Sequence, residues 1–507
     1  MGGGAFLLHW DGGSVAAWDG RETAPAAVNE ALFLRADGKP MGFEEARIGG
    51  RPVGVPGVVR MLEAAHRVHG RLPWASLMQP ALTWAEQGFR LSPRLHALLV
   101  ANPALRGDAL ARAYFFGADG QPLPVGTLLR NPAFADVLRS LATRGGAALH
   151  EGPLAVDIVR RVQAHSMNPG QLTLADLAGY QPRRREAICT DWKTLYRVCG
   201  FPPPSSGHLT VMQILGLLER LPADTAPLRG GAPGADWLHL YLEASRLAFA
   251  DRAQYVADPD FVAAPTGRWT SLLDGDYLRQ RAALVGPLAA RSAMPGTPAG
   301  VATAQSVAPA PVQPEFGTTH FSIVDADGHA VAMTSSVEYA FGAHLMSDGG
   351  SGKAGGFLLN NQLTDFAWLP RDAAGNPVAN RVQAGKRPRS SMSPTLVFDR
   401  RDGRLLMSLG SSGGAAIIHF TAKTLIATLD WGLDAQRAID LPNFGNFNGP
   451  DLLESGRFPV ATLDALRARG HVLANGDMAS GIQAIQRMGR GWHGGADPRR
   501  EGVARGE

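Results

Sequence analysis

Residues 5 to 19, AFLLHWDGGSVAAWD, carry apolar side chains on either side of an Asp-Gly-Gly break and predict two short strands around a turn. Between residues 54 and 180 the period changes. Segments 58–70, 74–88, 93–102 and 155–165 repeat apolar positions at spacings of three and four, which predicts helices. LTLADLAGY, residues 172–180, predicts a further helix start with Thr173 as its cap. Strand formers then surround Cys189 and Cys199, with TDWK between them as the turn of a hairpin. A proline-stiffened loop, GFPPPSS, feeds a helix, and residues 235–258 predict a long amphipathic helix. Residues 286–315, built from alanine, proline, glycine and valine, predict a semi-extended, exposed linker. Short strands, glycine loops and a late helix near 415–430 follow it, and no repeat of fixed period is visible. Strands and helices come in blocks. That pattern suits packed sheets with helices outside, an α+β fold, better than strict βαβ alternation.

Composition narrows the function. A chain of 507 residues buries a large core and by length alone allows two to four domains. Its 49 basic residues nearly cancel 45 acidic ones. The basic runs RRR at 183–185 and GKRPRSS at 385–391 are isolated and lack interleaved aromatics, which predicts solvated faces and argues against a nucleic-acid partner. No apolar stretch is long enough to span a bilayer. Cys189 and Cys199 are either a disulfide across their hairpin, which goes with an oxidising compartment, or two buried free thiols. No histidine or acid stands near them at ligand spacing, so no metal is implied, and nothing calls for a cofactor. The opening MGGGAFLLHW shows no secretory-signal pattern and begins directly in a strand, which suggests missing upstream sequence.

The candidate chemistry centres on TTHFSIVDADGHAVAMTSS, residues 318–336, a hairpin with Asp327-Gly328 as its turn signal. A two-residue loop there sets Thr318 opposite Val337 and Thr319 opposite Ser336, and a longer loop shifts this by one or two places. Either register gathers Thr334, Ser335 and Ser336 beside the first threonines. A hydroxyl needs a base. If the chain is cut between Gly317 and Thr318, the new α-amine, of ordinary pKa about 7.7–8.0, supplies one on the same residue. Threonine in a strand is otherwise just a strand former.

Other groups compete or contribute. Gly410-Ser411-Ser412-Gly413-Gly414, between a strand and a helix, fits the nucleophile elbow of serine α/β-hydrolases, with Ser412 as nucleophile. The same stretch offers the Gly413 and Gly414 N–H groups as an oxyanion hole, or serves as a plain helix cap. Asn360, Asn361, Gln362 and Asp365, the Ser390-Ser391 pair, and Arg21 beside Glu22 each read alone as a turn, cap or surface pair. Together they supply the groups that clamp an amino acid's charged ends.

With these residues in hand, the chain resembles the γ-glutamyltranspeptidase family of N-terminal-nucleophile hydrolases. The likeness runs through GGGAFLLHW, RETAP, ADRAQYVADPDF, TTHFSIVDADGHAV, LLNNQLTDF, KRPRSSMSPT, GSSGG and GGADPRREG. It implies an αββα four-layer sandwich and a precursor that cuts itself at Gly317/Thr318. The pieces 1–317 and 318–507 then form one composite domain and a heterodimer. It further implies Thr318 as nucleophile, Ser336 as its supporting hydroxyl and Gly413 and Gly414 as the oxyanion hole. Arg21, Ser390 and Ser391 match positions that hold the substrate's α-carboxylate, and Gln362 and Asp365 those that hold its α-amine. The implied reaction moves the γ-glutamyl group of glutathione-like amides to Thr318 and on to water or an amino acid, in a periplasmic or secreted setting. An authentic start at Met1 would place the protein in the cytoplasm.

Departures from the pattern are specific. Ser336 stands where relatives have threonine, and Glu338 where an amine-binding asparagine is typical. Residues 367–383 lack a tyrosine-bearing lid, which favours hydrolysis over transfer. MSDGGSGKAGGF reads as an insertion beside the active site. These features leave a glutaryl or β-lactam acylase of the same family as an alternative, alongside the Ser412 hydrolase and an uncut, non-catalytic binding protein.

Overall fold

The computed structural model describes residues 1–222, 226–301 and 317–506. Its centre is two stacked antiparallel sheets. The first runs in the order Thr319–Val324, Ala330–Ser336, Gly4–Trp10, Val15–Asp19, Arg183–Glu186. The second runs Gly491–Ala496, Gln483–Met488, Leu405–Gly410, Thr395–Asp399, Tyr196–Gly200, Ile188–Trp192.

Period-two alternation explains the layers. Phe6, Leu8 and Ala17 of the first sheet meet Leu396, Phe398 and Leu405 of the second in one buried core. Their neighbours Ala5, Leu7, Ala16 and Trp18 face outward, onto helices Val58–His69, Pro132–Arg144 and Pro153–Gln163. Val397, Met407 and Leu409 likewise face helices Gly207–Leu218, Ala235–Tyr255 and Ile417–Leu429. Helix, sheet, sheet, helix is an α+β sandwich of four layers. Both sheets draw strands from before residue 317 and after it, so the chain's two halves share both central layers.

Several sequence expectations change here. The long helix is not amphipathic: from Trp237 to Arg252 nearly every side chain is buried, charged ones included. Burial is tolerated because the charges are paired, Arg246 with Glu243 and Asp451, and Asp251 with Arg281. The basic runs are solvated only in part: Arg183 and Arg184 are exposed, but the other basic side chains are not. Arg185 and Arg387 are drawn inward by Asp19, Asp258 and Asp260, and Lys386 and Arg389 are buried beside them. Segment 74–88 breaks into two helices at Met78, where Pro80 cannot continue the hydrogen-bond ladder of the first.

The cysteine hairpin turns at Lys193-Thr194-Leu195, sharing only Lys193 with TDWK, with Lys193 and Thr194 at positive φ. Cys189 and Cys199 are directly opposite one another and disulfide-bonded, with Cα atoms 4.0 Å apart. The described part of the alanine-proline segment, 286–301, is irregular but pinned: Gly296 N–H donates to Asp251 and Ala289 N–H to the Arg469 carbonyl. Residues 302–315 lie outside the described residues. Among the described residues, no helix is long and apolar enough to cross a membrane.

Candidate active site

The hairpin Thr319–Val324/Ala330–Ser336 has a five-residue loop, Asp325 to His329, instead of a two-residue turn. Asp325 closes it by accepting the His329 N–H. The register consequently moves one place, Thr319 pairs with Ser335, and its continuation sets Thr318 against Ser336. The Thr318 hydroxyl donates to Ser336 Oγ at 3.4 Å, and Ser336 Oγ donates to the Gly317 carbonyl oxygen at 2.6 Å. The Glu338 N–H fixes Ser336 by donating to the same Oγ at 2.8 Å. Two hydroxyls thus lead from the threonine to the carbonyl of its own preceding peptide bond.

Backbone shape demands glycine before Thr318. Gly317 has φ 57°, and a Cβ there would lie 2.7 Å from the Tyr339 carbonyl carbon. Beneath the strand, His320 is buried against Gly410, and burial lowers its pKa to about 3. It is a neutral bridge between the sheets, its ring nitrogens engaged with Thr334 and Ser322.

Thr318 and Ser336 line two spaces. One is a small buried pocket walled by Arg21, Glu338, Gln362, Asp365, Ser390, Ser391 and Gly414. In it the Arg21 guanidinium is paired with Asp365 and donates to the Pro388 and Arg389 carbonyls. Gln362 donates to Asp365 at 2.7 Å and keeps its own side-chain oxygen unbonded. Glu338, at φ 76°, accepts from Asn361. Behind Arg21 lies Glu22, whose carboxylate oxygens lack hydrogen-bond partners; burial pushes its pKa up to about 8 against the pull of Arg21. Asp365, in direct contact with the guanidinium while Glu22 stays 3.7 Å away, is the carboxylate that balances Arg21.

The other space is an open cleft of about 590 Å³ that shares Thr318 and Ser336 with the first. Between the two spaces runs Gly410–Gly414, ending the strand Leu405–Gly410 and leading into helix Ile417–Leu429. Gly413 has φ 133° and Gly414 φ 59°, and a Cβ on Gly413 would sit 2.5 Å from Phe420. Only glycine allows this approach. Ser412 faces the cleft, yet its strand lies in an all-antiparallel sheet, not the mostly parallel sheet of an α/β-hydrolase, and no histidine bonds its hydroxyl among the described residues. The serine-hydrolase alternative fails on the fold.

Other groups lay beyond sequence reasoning. Arg252, on the long buried helix, donates to Ser391 Oγ at 2.6 Å and to Ser206 Oγ at 2.8 Å, holding the serine pair from behind. Ser206 in turn donates to the Ser390 carbonyl. Asn380 ties Asp365 to Arg389 by bonding the backbone of each. Arg252 shares its helix with Glu243, Arg246 and Asp251, and local spacing does not single it out among them. The MSDGGSGKAGGF loop packs instead against Asn131, Asp136 and Asp157, and none of its residues lines either space.

A four-layer sandwich with a hydroxyl residue at the head of an edge strand, poised on its own peptide bond, defines an N-terminal-nucleophile hydrolase. The comparisons agree. Residues 1–507 match the family described as gamma-glutamyltranspeptidase. A glutathione hydrolase proenzyme of Pseudomonas aeruginosa is 33% identical over 99% of this chain and 86% of its own length. An acylase proenzyme of a Pseudomonas species is 31% identical over 96% of this chain and 81% of its own. Among solved structures, a cephalosporin acylase from Bacillus halodurans superposes with TM-score 0.82 at 26% identity, covering 99% of this chain and 87% of that one. The chain belongs to the γ-glutamyltranspeptidase family: self-processing enzymes that hydrolyse or transfer γ-glutamyl groups of glutathione-like substrates and mature into two subunits.

Proposed function

We propose that this chain cuts itself between Gly317 and Thr318 and that Thr318, as a new N-terminus, hydrolyses γ-glutamyl amides. The carrying observation is the hydrogen-bonded line from Thr318 Oγ1 through Ser336 Oγ to the Gly317 carbonyl oxygen. It polarises the carbonyl that must be attacked and gives the attacking hydroxyl an acceptor. In maturation Thr318 Oγ1 bonds to the Gly317 carbonyl carbon, the C–N bond breaks, and the hydroxyl proton ends on the Thr318 nitrogen. Water then hydrolyses the ester, leaving the Gly317 carboxylate and a free α-amine on Thr318.

In turnover that amine takes the proton as Oγ1 attacks the γ-carbonyl, and passes it to the departing amine. The Gly413 and Gly414 N–H groups receive the oxyanion. Water releases glutamate from the ester, or an amino acid's amine takes the acyl group. Arg21, Ser390 and Ser391 take the α-carboxylate, and Asp365, Gln362 and Glu338 the α-ammonium. The substrate's two charges replace the Arg21–Asp365 contact. Pieces 1–317 and 318–507 remain together as a heterodimer. Intact mass and N-terminal sequencing of active protein test this: two chains are expected, the smaller beginning Thr-Thr-His-Phe. Active protein with the bond intact overturns it.

Glu338 selects between the acyl alternatives. With Arg21 balanced by Asp365, a further carboxylate in the pocket attracts an ammonium and repels a group bearing only a carboxylate. That favours γ-glutamyl over glutaryl donors. Glu338→Asn removes the extra charge, and asparagine enters the left-handed region more readily than glutamate. The ratio of kcat/KM for γ-glutamyl- over glutaryl-4-nitroanilide should fall about tenfold, the scale of one charged hydrogen bond. An unchanged ratio removes Glu338 from substrate selection.

A further inference from the structure

The open cleft receives whatever leaves Thr318 on the side away from the acyl pocket, since Thr318 and Ser336 line both. Two arginines converge on it. Arg94 stands in the first turn of helix Pro93–Ala101, and Arg500 ends the turn Pro498–Arg500. The Arg500 stem lies on Gly481, where a Cβ would come within 3.0 Å of its Cδ, and its Nε donates to the Ala479 carbonyl at 2.9 Å. Neither guanidinium forms an ion pair among the described residues. The carboxylates nearest in sequence are engaged elsewhere. Glu501 accepts the Arg94 backbone N–H, and Asp497 is taken by Ser480, the Ile482 N–H and Arg499. Burial and the positive charge of Arg94 lower the Arg500 pKa to about 10 against the pull of Asp497 and Asp477, which is still well above neutral pH, and the two guanidinium charges repel one another. Two like charges held together beside Thr318, with no carboxylate in ion-pair contact with either guanidinium among the described residues, leave an anion's place open.

Building on the γ-glutamyl reading above, we propose that Arg94 and Arg500 form an anion subsite that binds a carboxylate on the leaving amine. The preferred donors are then γ-glutamyl amides of carboxylated amines, such as amino acids and peptides. The same subsite holds a carboxylated acceptor when the acyl group is transferred. During acylation the C–N bond breaks, the nitrogen takes the proton from the Thr318 amine, and the carboxylated amine departs through the cleft past the two arginines.

The test compares two donors with one acyl group, γ-glutamyl-4-nitroanilide and γ-glutamyl-3-carboxy-4-nitroanilide, on the processed enzyme. Alongside, calorimetric titration compares binding of the two free amines, 4-nitroaniline and 5-amino-2-nitrobenzoate, which needs no acyl chemistry. The carboxylated member of each pair should be favoured by about tenfold or more, the scale of a charge-assisted hydrogen bond. Arg94→Gln and Arg500→Gln should each shrink that preference, the double variant should bring it close to one, and Arg500→Lys should keep most of it. Equal binding of the two amines by the wild type, or a preference that survives in the double variant, overturns the subsite. If neither anilide is turned over while the carboxylated amine still binds selectively through the arginines, the γ-glutamyl assignment fails and the anion subsite stands. Turnover of both anilides without selectivity gives the reverse.

Discussion

Thr318→Ala leaves one uncut chain of 53.7 kDa and abolishes turnover of γ-glutamyl amides. The substitution removes the hydroxyl that bonds to Ser336 and would attack Gly317, so both maturation and acylation lose their nucleophile. Loss of a nucleophile in a concerted site costs on the order of 10⁴-fold or more in kcat. Denaturing electrophoresis and a γ-glutamyl-4-nitroanilide assay read the two effects on one preparation. Thr318→Ser keeps the hydroxyl and should yield both fragments and measurable activity. A Thr318→Ala protein that still divides, or still turns over substrate, removes this residue from the mechanism.

Arg21→Met should destabilise the protein by about 3–5 kcal/mol, because it strands the Asp365 carboxylate in a buried pocket. Glu22 cannot compensate, and its own burial already disfavours charge. The substrate's α-carboxylate also loses its cation, so kcat/KM for a γ-glutamyl anilide should fall by at least about a hundredfold. Adding Asp365→Asn separates the two effects. The double variant should recover most of the stability in denaturant unfolding and none of the activity, since both binding charges are gone. Recovery of activity with stability would make Arg21 a purely structural residue.

Much of this was legible in the sequence, for reasons that differ by residue. Gly317-Thr318-Thr319 announced itself because two threonines open a strand directly after a segment poor in strand formers. The alternation in Gly4–Trp10 fixed which side chains meet the second sheet. The partner of Thr318 was one place off, because Asp325 draws His329 into a longer loop than Asp-Gly alone signals, and one residue of register exchanges Val337 for a hydroxyl. Arg21, Asp365, Ser390 and Ser391 are far apart in the chain; their chemistry suggested a clamp for an amino acid's charged ends, and the family resemblance gave each its place in it. Arg252 and the Arg185–Arg387 network escaped notice because local spacing does not reveal that a charge is buried. Its partners lie across the fold.

The exchange of strands between the two halves governs when the protein becomes active. Gly4–Trp10 leaves the ribosome long before Ala330–Ser336, its neighbour on one edge, and Tyr196–Gly200 must wait likewise for Thr395–Asp399. Such distant pairings form late. A chain released before Thr395–Asp399 is made should therefore lack most of the second sheet and keep the Gly317–Thr318 bond whole. Completion of the chain serves as the timer for scission.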